Sequence, residues 1–409
     1  MDRMLKWIWL TTLKGMYSAK ITALLDRFDS IDEIYAAGET EYRTVSVLKK
    51  QDIERLCIKN INEAEKVISR TAEAGGYIIT YDNDNYPQRL KKLINPPYVL
   101  YVKGNYDFTK NSANIGIVGT RDCSKYGEAV TSKMCIDLSA AGFTVVSGLA
   151  KGIDTIAATA AIKGHGETIA VLGCGIDVIY PAENEGLYKE IAMHGAVISE
   201  YPPLTMPVAT NFPERIRIIA ALSDCLLITE APKKSGALLT AKRAYEMGID
   251  IFSVPGNIFM PNSVGTNKLI KAGAKIALSS LDIIDEYSGL LQTVKKSDEG
   301  KGNPNKGLYY SEEQSIKKES KTKEKSQQVQ KGKIMQIKPV DINDERFSAL
   351  SEEEKKITEL IINAGSISTD EIIRQSAYPV SKVNSLLSLM EIENVVEKHP
   401  GNIYTISGE

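Results

Sequence analysis

Between Ile115 and Ala274 short apolar runs end repeatedly in glycine-rich or polar loops, and helical stretches separate them. The runs are Ile115–Val118, Phe143–Val146, Thr168–Leu172, Ala196–Ser199, Cys225–Thr229, Asp250–Val254 and Lys275–Leu278. Short, mostly continuous apolar runs read as strands covered on both faces. The intervening stretches, such as Lys125–Ala140 and Ala237–Met247, repeat their apolar positions near every 3.6 residues. Strands alternating with helices of this length imply βαβ units and a parallel sheet. In such a sheet a ligand lies beyond the C-terminal ends of the strands.

The chain has 409 residues, enough for two or three domains. Its formal net charge of −2 excludes a globally basic nucleic-acid binder, so any polyanion site must be local. Cys57, Cys123, Cys135, Cys174 and Cys225 form no C-x-x-C pair, and no signal-peptide pattern precedes them. A cytosolic protein with reduced thiols is expected. The longest apolar runs are far too short to span a membrane. His165, His194 and His399 are widely separated, so neither a histidine-rich metal site nor any cofactor is expected.

Four regions follow from the patterning. Residues 1–75 read as short helices: Lys6–Lys14, Ser18–Phe28, Ile31–Ala37, Lys49–Cys57 and Ile61–Ala74. Leu13-Lys14-Gly15-Met16-Tyr17 before an apolar helix gives this module a SAM- or helix-hairpin-helix-like look. Tyr17, however, stands where such hairpins offer a second glycine, so a small packing module is the plainer reading. Residues 76–287 hold the sheet, with 77–112 expected as an added layer on it. Residues 288–344 are expected to be a disordered Lys-rich linker, because 291–340 carry 12 Lys, 6 Asp plus Glu and neither Trp nor Phe.

Residues 345–409 regain pattern. Ser351-Glu352-Glu353-Glu354 is a capping-box start for a helix over Glu352–Ala364. Thr369 is placed to cap Asp370–Gln375, and Pro379 precedes a third helix, Ser381–Ile392. Val395–Lys398 and Ile403–Ile406 then form a hairpin, which completes a winged helix. Residues 351–409 hold 5 Lys plus Arg against 10 Asp plus Glu. A helix that reads a phosphate-lined groove should be basic, so this module is expected to bind protein.

The loops after the strands have the composition of a phosphate site. Gly119-Thr120-Arg121 offers a tight turn, a hydroxyl and a guanidinium fork. Ser147-Gly148-Leu149-Ala150-Lys151-Gly152-Ile153-Asp154 places two glycines, a hydroxyl and a cation at a helix start. Gly173-Cys174-Gly175, Asn211-Phe212-Pro213-Glu214-Arg215-Ile216-Arg217, Ser235-Gly236 and Pro255-Gly256-Asn257 follow. Together they suit a ligand with several phosphates and a stacked base. No G-x-G-x-x-G follows the first strand, which argues against a dinucleotide, and no G-x-S-x-G marks a nucleophile.

In this order the blocks resemble the DNA-processing protein A (DprA/Smf) family. The resemblance rests on Ile117–Arg121, Ser147–Asp154, Tyr180-Pro181, Ser199-Glu200 and Phe212-Pro213-x-Arg215-x-Arg217-Ile218-Ile219. It continues through Glu230-Ala231, Ser235–Thr240 and Gly265-Thr266-Asn267-x-Leu269-Ile270-x-x-Gly273-Ala274, with Tyr86-Pro87 and Pro96-Pro97 upstream. It implies an extended Rossmann-like α/β fold, a doubly wound parallel sheet. It also implies a non-enzymatic homodimer that binds single-stranded DNA and loads the RecA recombinase during natural transformation.

Carried over, Gly119, Thr120 and Arg121 would hold backbone phosphate, and Lys151, Arg215 and Arg217 would supply charge. Phe212 would stack a base, and Ser147, Gly148, Ser235 and Gly236 would shape the pocket. Four positions depart from the family pattern. Lys151 replaces an arginine, Ala158 a histidine, Ile216 an asparagine and Ala221 a glycine. The Ile216 change removes a polar group from the segment tied to DNA. Residues 113–287 carry 15 Lys plus Arg against 18 Asp plus Glu, so a DNA site needs its few cations to converge.

Two other functions compete. A nucleotide or phosphoribosyl hydrolase of the lysine-decarboxylase-like type would use Pro255-Gly256-Asn257 and Gly265-Thr266-Asn267, a spread-out echo of a P-G-G-x-G-T loop. A transcriptional regulator would use the winged helix.

Overall fold

The computed structural model describes residues 2–110, 113–291, 347, 350–393, 395–399 and 403–407. Its centre is a nine-stranded sheet: β1 (Tyr77–Thr80), β2 (Val99–Gly104), β3 (Ala113–Val118), β4 (Phe143–Ser147), β5 (Thr168–Leu172), β6 (Gly195–Ser199), β7 (Cys225–Ile228), β8 (Asp250–Ser253) and β9 (Lys275–Ile276). The strand order is β1-β2-β6-β5-β4-β3-β7-β8-β9. From β6 across to β9 every pairing is parallel. The segment expected as an added layer instead extends this sheet, since β2 pairs antiparallel with β6 and β1 with β2.

The connecting helices are α7 (Lys125–Ala141), α8 (Ile153–Lys163), α9 (Glu185–His194), α10 (Asn211–Leu222), α11 (Gly236–Glu246), α12 (Val264–Lys271) and α13 (Leu281–Glu286). Ile115, Ile117 and Val145 face Met134, Leu138 and Ala157 on one side of the sheet. Val146, Ile169 and Ile228 face Ile218, Leu238 and Leu269 on the other. Because both faces are covered, the strands are nearly uniformly apolar and legible in sequence. Leu291 is buried in the same core as Phe143, so the ordered chain passes residue 287. Beyond Leu291, the expected Lys-rich linker lies outside the described residues.

Six helices precede the sheet: α1 (Arg3–Thr12), α2 (Ser18–Arg27), α3 (Ile31–Ala36), α4 (Glu39–Tyr42), α5 (Lys50–Ile58) and α6 (Asn62–Glu73). Trp7, Trp9, Leu24 and Leu56 form their core together with Tyr98, Val99 and Tyr101 of the sheet edge. Trp7 stacks on Tyr98 with ring centroids 5.5 Å apart. Gly15 turns at φ +81°, but Lys20 Nζ donates to its carbonyl at 2.9 Å and to Asp52 at 2.7 Å. This buried ion pair ties the turn and α2 to α5.

The C-terminal module contains α14 (Glu352–Ala364), β10 (Ile367–Ser368), α15 (Thr369–Ser376), α16 (Val380–Ile392), β11 (Val396–His399) and β12 (Ile403–Ile406). Its sheet order is β10-β12-β11, the wing of a winged helix. Ser351 and Glu354 form the expected capping box. Ser368, one residue before the expected Thr369, caps α15 by accepting from Glu371 N at 3.3 Å. No described helix is long and apolar enough to cross a membrane.

Candidate nucleic-acid interface

Strand β3 pairs in parallel with both β4 and β7, and the chain winds away from it in opposite directions. A crevice therefore opens over the C-terminal ends of these strands. Two glycines let its loops close. A Cβ on Gly119 would fall 2.5 Å from Ile153 Cγ1. One on Gly152, at φ +76°, would fall 2.4 Å from the Thr120 carbonyl oxygen. Ile153 N donates to that carbonyl at 3.2 Å, and Thr120 N donates to Glu230 O at 2.9 Å. Thr120 is buried, and its hydroxyl accepts from Asp122 N at 3.2 Å. The threonine thus holds the turn that presents Arg121.

Helix α10 contributes the next layer. Pro213 sits in its first turn, where a missing N–H costs little. Arg215, 8% exposed, donates from Nη1 to Gly148 O at 2.6 Å. A Cβ on Gly148 would lie 2.4 Å from that guanidinium, so a larger residue here would make the arginine shift. Buried Asp154 accepts from Gly148 N at 3.1 Å and Ala150 N at 3.3 Å. Burial pushes its carboxyl above the ordinary range, while Arg215, the two amides and Arg121 pull the other way. Burial lowers the Arg215 pKa against the pull of Asp154.

Phe212 is half-buried at the centre of the cluster. The Arg121 guanidinium lies 5.7 Å from its ring centroid and that of Arg215 5.4 Å. The Tyr180 ring is 5.8 Å away, tilted by 45°. Gly173 backs the ring, and Asn211 Nδ2 donates to Gly173 O at 3.0 Å, fixing the helix start over β5. Arg121 is exposed and makes no ion pair among the described residues.

The other expected residues divide. Gly119, Thr120, Arg121, Gly148, Phe212 and Arg215 come together. Lys151 is exposed at the edge and pairs with Glu183. Ser147 is fully buried, and its hydroxyl has no hydrogen-bond partner among the described residues. Arg217 does not join them. Two residues apart on a helix means a rotation of roughly 200°, so it leaves the opposite side of α10. There it pairs with Glu200 and, at 3.5 Å, with Glu214, lining a separate groove of about 800 Å³ with Arg89 and Arg243. Ser235 caps α11 by accepting from Ala237 N at 3.3 Å. With Gly236 it opens onto a recess shared with Lys233 and Lys234.

Two of the four family departures are packed. Ile216 is buried, and Ala158 lies in a core cluster with Leu149 and Ala170. The echo of a nucleotide-hydrolase loop is occupied by its own chain: Asn267 accepts from Gly256 N at 3.1 Å and donates to Gly256 O at 2.9 Å. Sequence reasoning gave no role to Asp154, Tyr180 or Glu230, although all three lie in the quoted motifs. Buried Glu230 accepts from Ser124 N at 2.9 Å at the start of α7. A Cβ on Gly127 would lie 2.3 Å from that carboxylate. The helix N-terminus that holds a pyrophosphate in dinucleotide-binding folds is therefore filled by protein.

Fold and crevice define a doubly wound α/β protein with an arginine-flanked aromatic at its switch point and an appended winged helix. Residues 77–288 match the DNA recombination-mediator protein A family, and residues 347–402 match the DprA winged helix domain. The chain belongs to this DprA/Smf family. Protein Smf of Synechocystis is 36% identical over 283 residues, covering 68% of this chain and 71% of the relative. DNA processing protein DprA of Bacillus subtilis is 40% identical over 221 residues, 54% of this chain and 74% of the relative. The X-ray structure of DprA from Streptococcus pneumoniae superposes with a TM-score of 0.63 at 32% identity, covering 70% of this chain and 99% of that one.

Proposed function

We propose that this protein binds single-stranded DNA in the crevice and passes the strand to a RecA recombinase during natural transformation, acting as a non-enzymatic homodimer in the cytoplasm. The observation that carries the DNA reading is Phe212 set beside Arg121 and Arg215. An aromatic ring beside two guanidinium groups offers an unpaired base a stacking face and its phosphates a charge. A duplex keeps its bases stacked and cannot use the ring in this way. Gly119, Thr120, Gly148 and Ser147 would shape the turn and floor, while Lys151 at the rim would reach phosphate by releasing Glu183. Arg217, paired with Glu200 outside this pocket, would hold the fold, and Ser235 with Gly236 would act at a neighbouring recess. Family membership supports the recombination role.

The test is fluorescence anisotropy with labelled oligo-dT, competed by duplex of equal length. If three to five phosphates are engaged, log affinity should fall against log salt with a slope of about −2 to −3.5. Salt-independent binding, or displacement by duplex at equal concentration, would overturn the reading.

A further inference from the structure

The acidic winged helix has a basic counterpart within the same chain. Lys242 on α11, 8% exposed, places Nζ 3.0 Å from Glu354 Oε1 and 3.0 Å from Glu393 Oε1. Lys268 on α12 donates to the Glu391 carbonyl at 3.3 Å, with the Glu391 carboxylate 3.7 Å away. Lys271 stands one turn after Lys268 on α12, and burial with the neighbouring charges of Lys233 and Lys271 lowers the Lys268 pKa against the pull of Glu391. Lys233 and Lys234 flank an open recess of about 510 Å³ whose far wall is Glu393.

The seam between the modules is loosely filled. A cavity of about 290 Å³ remains between Ser385 and Leu389 of α16 and Tyr245, Ile249 and Leu269 of the sheet domain. Permanent interfaces pack like protein interiors, whereas this one is held by ion pairs beside a void. Three glutamates pair with Lys242 and Lys268, while Lys233, Lys234 and Lys271 stay exposed beside them, a charge pattern like that of a polyanion laid on part of a cationic face. The recess also contains Ser235 and Gly236 at the strand ends.

We propose that Lys233, Lys234, Lys242, Lys268 and Lys271 form a second surface for the single-stranded DNA backbone, and that the docked winged helix masks it through Glu354, Glu391 and Glu393 until DNA displaces it. The proposal rests on the DNA-binding reading above. It accounts for the module's acidity as intramolecular mimicry of phosphate.

The test uses the full chain with Glu391→Gln and Glu393→Gln, leaving Glu354 because it also caps α14. Losing two partly exposed ion pairs should raise affinity for a long oligo-dT by about three- to tenfold. Adding Lys233→Ala and Lys234→Ala should cancel that gain. Small-angle scattering of the wild type should show a larger radius of gyration once oligo-dT saturates it at low salt. An unchanged affinity, a gain that survives loss of the lysines, or an unchanged radius would overturn the proposal. Arg121→Ala separates the two ideas. Weakened binding by that variant, with the glutamate pair silent, removes only the masking, whereas no binding by wild type at low salt removes both.

Discussion

The strand-end crevice and the lysine face of α11 and α12 are both cationic, and they differ in what neutralises them. In the crevice Arg215 rests on a backbone oxygen near Asp154, and Arg121 lies beside an aromatic ring in solvent. On the lysine face Lys242 sits between two glutamates, and Lys268 faces a third. One region is ready for an anion and the other already holds one. A charge balance of 15 cations to 18 acids in the sheet domain conceals this difference. Pairing, not charge count, decides which surface is open.

Arg217→Ala should give the largest effect, and on the fold. Arg217 and Glu200 are 13% and 12% exposed, so removing the arginine strands a buried carboxylate at a cost of about 3–5 kcal/mol. Denaturant unfolding would show it, with oligo-dT affinity of the folded fraction unchanged. A specific loss of DNA binding at normal stability would return Arg217 to the crevice.

Gly152→Ala comes next. A left-handed backbone angle and overlap with the Thr120 carbonyl should together cost about 2–4 kcal/mol. A urea midpoint equal to wild type would show that loop closure does not depend on this glycine. Arg121→Ala should then weaken oligo-dT binding by about 1–3 kcal/mol without moving the unfolding midpoint. Normal binding by the folded variant would leave the crevice without its exposed cation's role.

The smallest expected effect is a pH dependence. Burial raises the Asp154 carboxyl, so as pH falls the folded state takes up this proton before the unfolded chain does. Between the ordinary aspartate range and the raised value, Asp154 therefore favours the fold more as pH drops. The stability of wild type relative to Asp154→Asn should rise on acidification in unfolding curves run across that window. A relative fall would mean that the two amides and Arg215 outweigh burial.

Much of the architecture was legible in the chain. Thr168–Leu172 and Ile403–Ile406 are strands at their expected limits, because apolar runs bounded by turn residues report local burial. The short helix Glu39–Tyr42 went unseen, having too few residues for a period. The first helix begins at Arg3 rather than Lys6 because Asp2 caps it, accepting from Met4 N at 3.1 Å. At the site, sequence brought Arg121, Phe212 and Arg215 to one strand edge. Helical geometry alone could have separated Arg217 from them, since its spacing from Arg215 sets it on the other side of α10.

By itself the sequence determined the strand–helix alternation, the glycine loops over the strand ends and the acidic winged helix, all properties of period and composition within a few residues. Tertiary structure decided that Glu230 fills the start of α7, that Arg217 pairs with Glu200 and that Lys242 meets Glu354 and Glu393. The Lys242 partners lie 112 and 151 residues away along the chain. No local pattern encodes such pairs, because they form only where packing brings distant segments together and excludes the water that would otherwise screen each charge.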